Sequence, residues 1–142
     1  MSYQVAVAPQ TQTNADTAFV SAIIDMADLV ALEFVIMLGT LTDADVTGAV
    51  LLEEGDASDL SDNTAVADID MLPTPNNSSA VAPEAQAAFT FADDGLIKKL
   101  GYVGTKRYVR LTVTPTGNNS GALPIAVLAV GKPRLSANVN GS

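Results

Sequence analysis

Residues 108–114, YVRLTVT, show the cleanest alternation of apolar and polar side chains in the chain. Val109, Leu111 and Val113 share one side of an extended backbone, and Arg110 lies on the other side with the tyrosine and the threonines. A period of two is the pattern of a β-strand with one face in a core. The stretch therefore predicts a strand, and with it a fold that is built from sheets.

Similar segments lie on both sides of this strand. They are apolar, alternating or β-branched, they are separated by turn residues, and they occupy 17–25, 31–40, 48–54, 64–72, 87–91, 96–102 and 122–132. The last of these is almost continuously apolar, which favours a central strand. Helix formers within 22–38 leave a helix there as an alternative. About eight strands predict an all-β fold, an antiparallel β-sandwich or jelly roll.

The chain length of 142 residues predicts a single domain. We expect an extended N-terminal arm over residues 1–16, a β-sandwich domain over 17–134, and a polar C-terminal tail over 135–142. Residues 73–86 are rich in Pro, Asn and Ser and predict a long loop. No apolar run approaches the roughly 20 residues of a membrane span, so we expect no membrane partner.

The composition disfavours catalysis. Cysteine and histidine are both absent, which removes the thiolate nucleophile, the commonest general base and the commonest metal ligand. No sequence matches a nucleophile elbow, a P-loop or a dinucleotide-binding fingerprint. We therefore expect a protein that is not an enzyme and that needs no cofactor.

Charge is divided unevenly along the chain. All 16 acidic side chains lie within residues 1–97, and all seven basic side chains lie within 98–142. The net charge of −9 disfavours nucleic acid, because its phosphates would be repelled. Such asymmetry is typical of an interaction surface. The alternative is that the two halves meet in the folded chain and that their charges pair.

Three of the seven basic residues lie in GYVGTKRYVR, residues 101–110. In an extended strand Lys106, Tyr108 and Arg110 share the outward face, and Arg and Tyr are enriched in protein interfaces. The alternative is that Arg110 pairs across strands with an acid such as Glu33, Glu53 or Asp70. The residues that we expect to contact a partner protein or a neighbouring subunit are Lys106, Arg107, Tyr108, Arg110, Lys132 and Arg134.

The acidic loop at 55–63 carries Asp56, Asp59 and Asp62. Clustered carboxylates can hold Ca²⁺, so these three residues are weak candidate ligands, although their spacing is not that of an EF-hand. The alternative is a solvated acidic loop with no metal.

Several short motifs, in their order and spacing, resemble those of small head proteins of tailed bacteriophages. The motifs are VIMLGT at 35–40, LLEEGDASDLSDNTAVADID at 51–70, GYVGTKRYVRLTVT at 101–114 and GKPR at 131–134. The resemblance implies a virion component, a decoration or cement protein that is made in the host cytoplasm and binds the major capsid protein on the capsid surface. On this interpretation we expect a small homo-oligomer, a dimer or trimer.

A second resemblance gives an alternative function. The pairing of an acidic "glu-glu … asp" strand with "arg-tyr-val-arg" is similar to discoidin-like carbohydrate-binding jelly rolls. It implies a glycan-binding module. Those modules usually present aromatic side chains at loop tips, and this chain is poor in them.

Overall fold

A computed structural model describes residues 1–72 and 82–134. Its strands are β1 (Ser2–Thr13), β2 (Phe19–Val20), β3 (Ile24–Asp25), β4 (Leu29–Leu38), β5 (Thr47–Gly55), β6 (Thr64–Ala65), β7 (Met71–Leu72), β8 (Phe89–Thr90), β9 (Ile97–Tyr102), β10 (Tyr108–Thr116) and β11 (Ala122–Pro133). Helix α1 spans Pro83–Ala87, and single 3₁₀ turns span Asp68–Asp70 and Phe91–Asp93. No helix in these ranges is long and apolar enough to cross a membrane.

Two antiparallel sheets pack face to face. The five-stranded sheet has the order β1-β11-β4-β9-β7. In the six-stranded sheet the order is β2-β10-β5-β6, with β3 also pairing with β10 and β8 with β5. The chain crosses from one sheet to the other between most successive long strands, and every pairing is antiparallel. This crossing connectivity is that of a jelly roll, so the predicted fold class is confirmed.

The core lies between the inner faces of the two sheets. On β10 the buried side chains are Val109, Leu111 and Val113, as the alternation predicts. On β4 every second side chain from Leu32 to Leu38 is buried. Residues 22–38 contain two strands, so the helical alternative is wrong there. The local helix propensity is overridden because the extended chain gains hydrogen bonds to β10 and β11 and buries one face.

Three sequence predictions need correction. Residues 1–16 do not form a free arm, because β1 pairs along its length with β11, from Ser2 opposite Gly131 to Thr13 opposite Ala122. That pairing satisfies backbone groups on one edge of the segment. The predicted strands at 17–25 and 64–72 are each broken into two-residue strands, the second of them by a 3₁₀ turn. Both two-residue strands of 17–25 pair with β10, on either side of Ser21, whose hydroxyl accepts the Leu111 N–H. In 64–72 the chain passes from the six-stranded to the five-stranded sheet, which interrupts the strand pairing.

The predicted loop at 73–86 is partly replaced by α1, which Pro83 begins at a position that needs no backbone N–H. The Glu84 carboxylate accepts a hydrogen bond from the Leu52 backbone N–H at 2.7 Å, so the helix is fastened to β5. Residues 73–81 and the predicted tail 135–142 lie outside the described residues.

The alternation on β10 gives a test of the core. Leu111→Ala should lower the free energy of unfolding by about 2–5 kcal/mol, because it removes a fully buried side chain and leaves a cavity. Thr114→Ala, on the exposed face of the same strand, should change it by less than about 0.5 kcal/mol. Urea unfolding followed by circular dichroism measures both values. Equal losses in the two variants would contradict the assignment of faces.

Candidate protein-binding surfaces

The six predicted contact residues lie in three places. Lys106 and Arg107 lie in the bend between β9 and β10, and Arg134 directly follows β11. Tyr108 and Arg110 lie on the outer face of the six-stranded sheet, opposite Gly55 and Glu53. Lys132 lies on the outer face of the five-stranded sheet, opposite Ala31. The structure therefore does not gather the predicted residues into one outward stripe.

Arg110 pairs within the chain. It lies directly opposite Glu53 in the β10–β5 register, and its Nη2 donates to Glu53 Oε1 at 3.0 Å. Both side chains are largely covered, with 24% and 16% of their surface exposed. Of the acids considered as partners of Arg110, the structure selects Glu53. A partner protein would have to break this ion pair to use the Arg110 charge.

Lys106 and Arg107 also meet acids from the first half of the chain. Lys106 Nζ lies 2.9 Å from Asp56, and Arg107 forms a two-point contact with Asp25 at 3.0 Å for each bond. The Arg107 guanidinium holds the pKa of Asp25 below its usual value, and the Asp56 carboxylate raises the pKa of Lys106. Such exposed pairs contribute little to stability, but they reduce the local charge.

The acidic loop is organised by its own backbone. Asp62 accepts hydrogen bonds from the Asp56 and Ala57 N–H groups at 2.9 and 3.2 Å, and Asp59 accepts one from Ser61 at 3.0 Å. These bonds lower the pKa of both Asp59 and Asp62. Within residues 1–72 and 82–134, no three acidic side chains are grouped as a metal site would require. The carboxylates of Asp59 and Asp62 therefore hold the loop in its turns.

Tyr102 shapes the bend that carries Lys106 and Arg107. Its ring is fully buried, and its hydroxyl donates to Glu54 at 2.5 Å and accepts from the Lys106 backbone N–H at 3.0 Å. A Cβ atom at Gly104 would lie only 2.5 Å from this hydroxyl, so the bend needs glycine at that position. The sequence analysis did not predict this role. The glycines on both sides of the tyrosine in GYVG, residues 101–104, were the sequence feature that could have indicated a tight bend there.

A cleft of about 410 Å³ opens beside this bend. We call it the basic cleft, and it is lined by Met26, Ala27, Leu29, Val30, Gly104, Thr105, Lys106, Arg107 and Arg134. Its two walls are joined by a hydrogen bond from the Met26 N–H to the Arg107 carbonyl at 2.6 Å. The Arg134 guanidinium donates to the Leu29 carbonyl at 3.3 Å, and no described ion pair includes it. The cleft thus combines apolar side chains with a cation that has no described carboxylate partner.

The two outer sheet faces differ in polarity. The outer face of the six-stranded sheet carries the threonines of β10 and the Arg110–Glu53 pair, with Val20 and Leu51 exposed beside them. The outer face of the five-stranded sheet is mainly apolar, and we call it the apolar face; its principal side chains are Tyr3, Val5, Met37, Leu72, Ile97 and Leu128. Sequence reasoning assigned β11 to a central position, which is correct within the sheet, but no element of the described chain covers its outward side chains.

The Tyr102 hydroxyl gives a prediction for stability. Tyr102→Phe keeps the ring but leaves the Lys106 N–H and Glu54 without this partner. It should lower the free energy of unfolding by about 1–3 kcal/mol at pH 7. Urea unfolding measures the loss, with Tyr3→Phe at an exposed position as the matched control. A loss no larger than that of the control would contradict the bridging role.

The same hydroxyl predicts an alkaline pH dependence. Burial, together with the hydrogen bond to Glu54, raises the pKa of Tyr102 well above its ordinary value. Above about pH 10 the unfolded chain therefore releases this proton while the folded chain keeps it, so stability falls as pH rises. Tyr102→Phe should lose less stability than the wild type between pH 9 and about pH 11. Parallel slopes for both proteins in urea unfolding would contradict the assignment.

No protein-family model matches the chain, and a search of curated proteins finds no match. Among solved structures the chain is similar to CBM29_1, a family 29 carbohydrate binding module from Piromyces equi. The identity is 9% and the TM-score 0.44, over 99% of this chain and 98% of that chain. A TM-score this low carries no argument about function. The assignment to the jelly-roll class rests on the strand order and the antiparallel pairing of the chain itself.

Proposed function

We propose that the chain is a non-enzymatic structural protein of a tailed-bacteriophage virion and that it binds the assembled capsid through the basic cleft. The observation that carries the proposal is the meeting of two motifs. GYVGTKRYVR and GKPR, which are separated by the 20 residues 111–130, are basic segments of the resemblance to phage head proteins. Both contribute to the basic cleft, the first through residues 104–107 and the second through Arg134.

The cleft indicates the chemistry of its partner. Arg134 has no described carboxylate partner, and Leu29 and Val30 add apolar surface beside it. A capsid subunit would fill the cleft with a carboxylate that is flanked by an apolar side chain. Arginine suits this task because its planar guanidinium binds a carboxylate at two points.

A modest contact of this kind is sufficient on a shell. If the chain binds the assembled shell in preference to free capsid subunits, it stabilises the shell by mass action. Where several copies act together, avidity multiplies the individual contacts. The proposed location is therefore the capsid surface, after synthesis in the host cytoplasm.

The proposal is tested on virions of the phage that encodes the chain. Gradient-purified particles should contain the wild-type chain in many copies, as measured by quantitative mass spectrometry. Arg134→Glu should reduce the bound copies at least about tenfold, because it reverses the unpaired charge in the cleft. The wild-type contact should also weaken as salt is raised, since the contact is partly electrostatic.

Two controls separate the cleft from the total charge. Arg134→Lys keeps the charge and should bind more weakly than wild type but better than Arg134→Glu. The double variant Thr114→Glu, Thr116→Glu makes the same change in net charge on exposed positions at the far end of β10, and it should bind as the wild type does. Absence of the chain from purified virions would overturn the proposal, and unchanged occupancy of Arg134→Glu would overturn the role of the cleft.

Carbohydrate binding is a second candidate, and the outer face of the six-stranded sheet favours it. Tyr108 is half-buried there, the Arg107 guanidinium lies 5.1 Å from its ring centroid, and the Arg110–Glu53 pair is close by. An aromatic ring beside planar polar groups can stack on a sugar and hydrogen-bond its hydroxyls. Within residues 1–72 and 82–134, Tyr108 is the one aromatic ring of this kind on the face.

A glycan array with and without added Ca²⁺ tests the second candidate. Saturable binding that Tyr108→Ala abolishes, and that Val20→Ala on the same outer face retains, would favour a glycan-binding module. No saturable binding to any glycan would exclude that function for the sugars on the array.

A further inference from the structure

We propose that the apolar face is a self-association surface, on which a second copy of this chain packs sheet to sheet about a two-fold axis. This inference does not depend on the proposed function, because it concerns a surface other than the basic cleft. Tyr3 and Val5 on β1, and Met37 and Ile97 on β4 and β9, are all exposed on this face. The composition of β11, the area of the face and the charges on it support a second copy as the partner.

Strand β11 carries apolar side chains on both of its sides. Its inward residues, such as Ile125 and Val127, are buried, while its outward residues Ala126, Leu128 and Val130 are only half-buried. A strand that is apolar on both sides is typical of a sheet covered on both faces. In the described chain the five-stranded sheet is covered on one face only. This composition favours a second molecule as the cover of the outer face.

The area of the apolar face is that of a protein–protein interface. Strand β11 runs from Ala122 to Pro133, a length of about 35 Å at the usual rise per residue. Four strands side by side span about 19 Å. The face thus measures about 650 Å² per copy, or about 1,300 Å² for two copies, which lies within the range of specific protein interfaces.

The charged side chains on the apolar face favour a second copy of the chain as the occupant. The charged residues on this face are Glu33, Lys99 and Lys132, and no described ion pair includes any of them. Because Glu33 lies opposite Val130 and Gly101, it is diagonally adjacent to both lysines. Each copy therefore offers both signs, and a two-fold axis can place the acid of one copy near a lysine of the other.

The net charge of the chain opposes self-association through most of its surface but not through the apolar face. The whole chain carries −9, so two copies repel each other through most of their surface. The apolar face, with two lysines and one glutamate, does not share this negative charge. Of the two outer sheet faces it is the apolar one, and a contact through it meets neither strong repulsion nor a large loss of hydration.

The experiment measures the mass of the purified chain by sedimentation equilibrium from 1 to 200 µM, concentrations of the order at which standard-sized interfaces associate. The wild type should be dimeric at the upper end of this range. Val5→Glu should raise the dissociation constant at least tenfold, because it places a carboxylate in the apolar contact. Val20→Glu is the matched control: it makes the same change at a valine with the same 57% exposure, on the other outer face. It should dimerise as the wild type does.

A second measurement does not depend on a substitution. A mixture of ¹⁴N- and ¹⁵N-labelled wild-type chains is treated with a zero-length carbodiimide, and cross-links between the two labels are read by mass spectrometry. Cross-links of Glu33 to Lys99 or Lys132 between copies are expected. A monomer at 200 µM would overturn the inference, and so would a dimer that Val20→Glu dissociates and Val5→Glu does not.

These outcomes are independent of virion binding. A chain that occupies virions but stays monomeric retains the proposed function and loses the self-association surface. A dimer that is absent from virions does the reverse.

Discussion

The Tyr102 hydroxyl joins the two sheets at the point where the chain leaves β9 for β10. Its ring belongs to the five-stranded sheet, its hydrogen bond reaches Glu54 in the six-stranded sheet, and it also accepts the Lys106 backbone N–H. A buried polar group is costly unless it is fully paired, so this arrangement has little freedom. It fixes the bend, and the bend in turn sets where Lys106 and Arg107 lie and where β10 begins.

Much of the fold could be predicted because a core between two sheets imposes a period of two. Strands β4, β5, β10 and β11 follow that period over most of their length, and the sequence indicates each of them. The prediction was wrong where the core does not impose it. In β1 only Ala6 and Val7 are buried, and they are adjacent, so this edge strand does not show a buried face with a period of two. Its pairing with β11 depends on backbone groups, which carry no sequence signal.

The candidate sites were less predictable than the fold. The sequence places Arg110 on an outward face, but only the β10–β5 register shows that Glu53 lies opposite it. Arg134 and Lys106 line the same cleft because the last residues of β11 and the β9–β10 bend lie at the same end of the sandwich. The spacing of these residues in the sequence does not indicate that they are close. The sequence did not indicate the apolar face, for a different reason. An apolar strand has the same composition whether its outer side is covered by its own chain or by another molecule.

The irregular pairing of β1 has a consequence for the way in which copies can add to one another. Its register with β11 shifts between Val5 and Val7 and again between Val7 and Gln10, and Pro9 lies within the second shift. Bulges twist an edge, and proline removes a donor, so this edge is a poor template for a further strand. Growth by strand addition would be open-ended and would lead to fibres. A chain that blocks its edge while it leaves a flat face free can form contacts that close after a fixed number of copies.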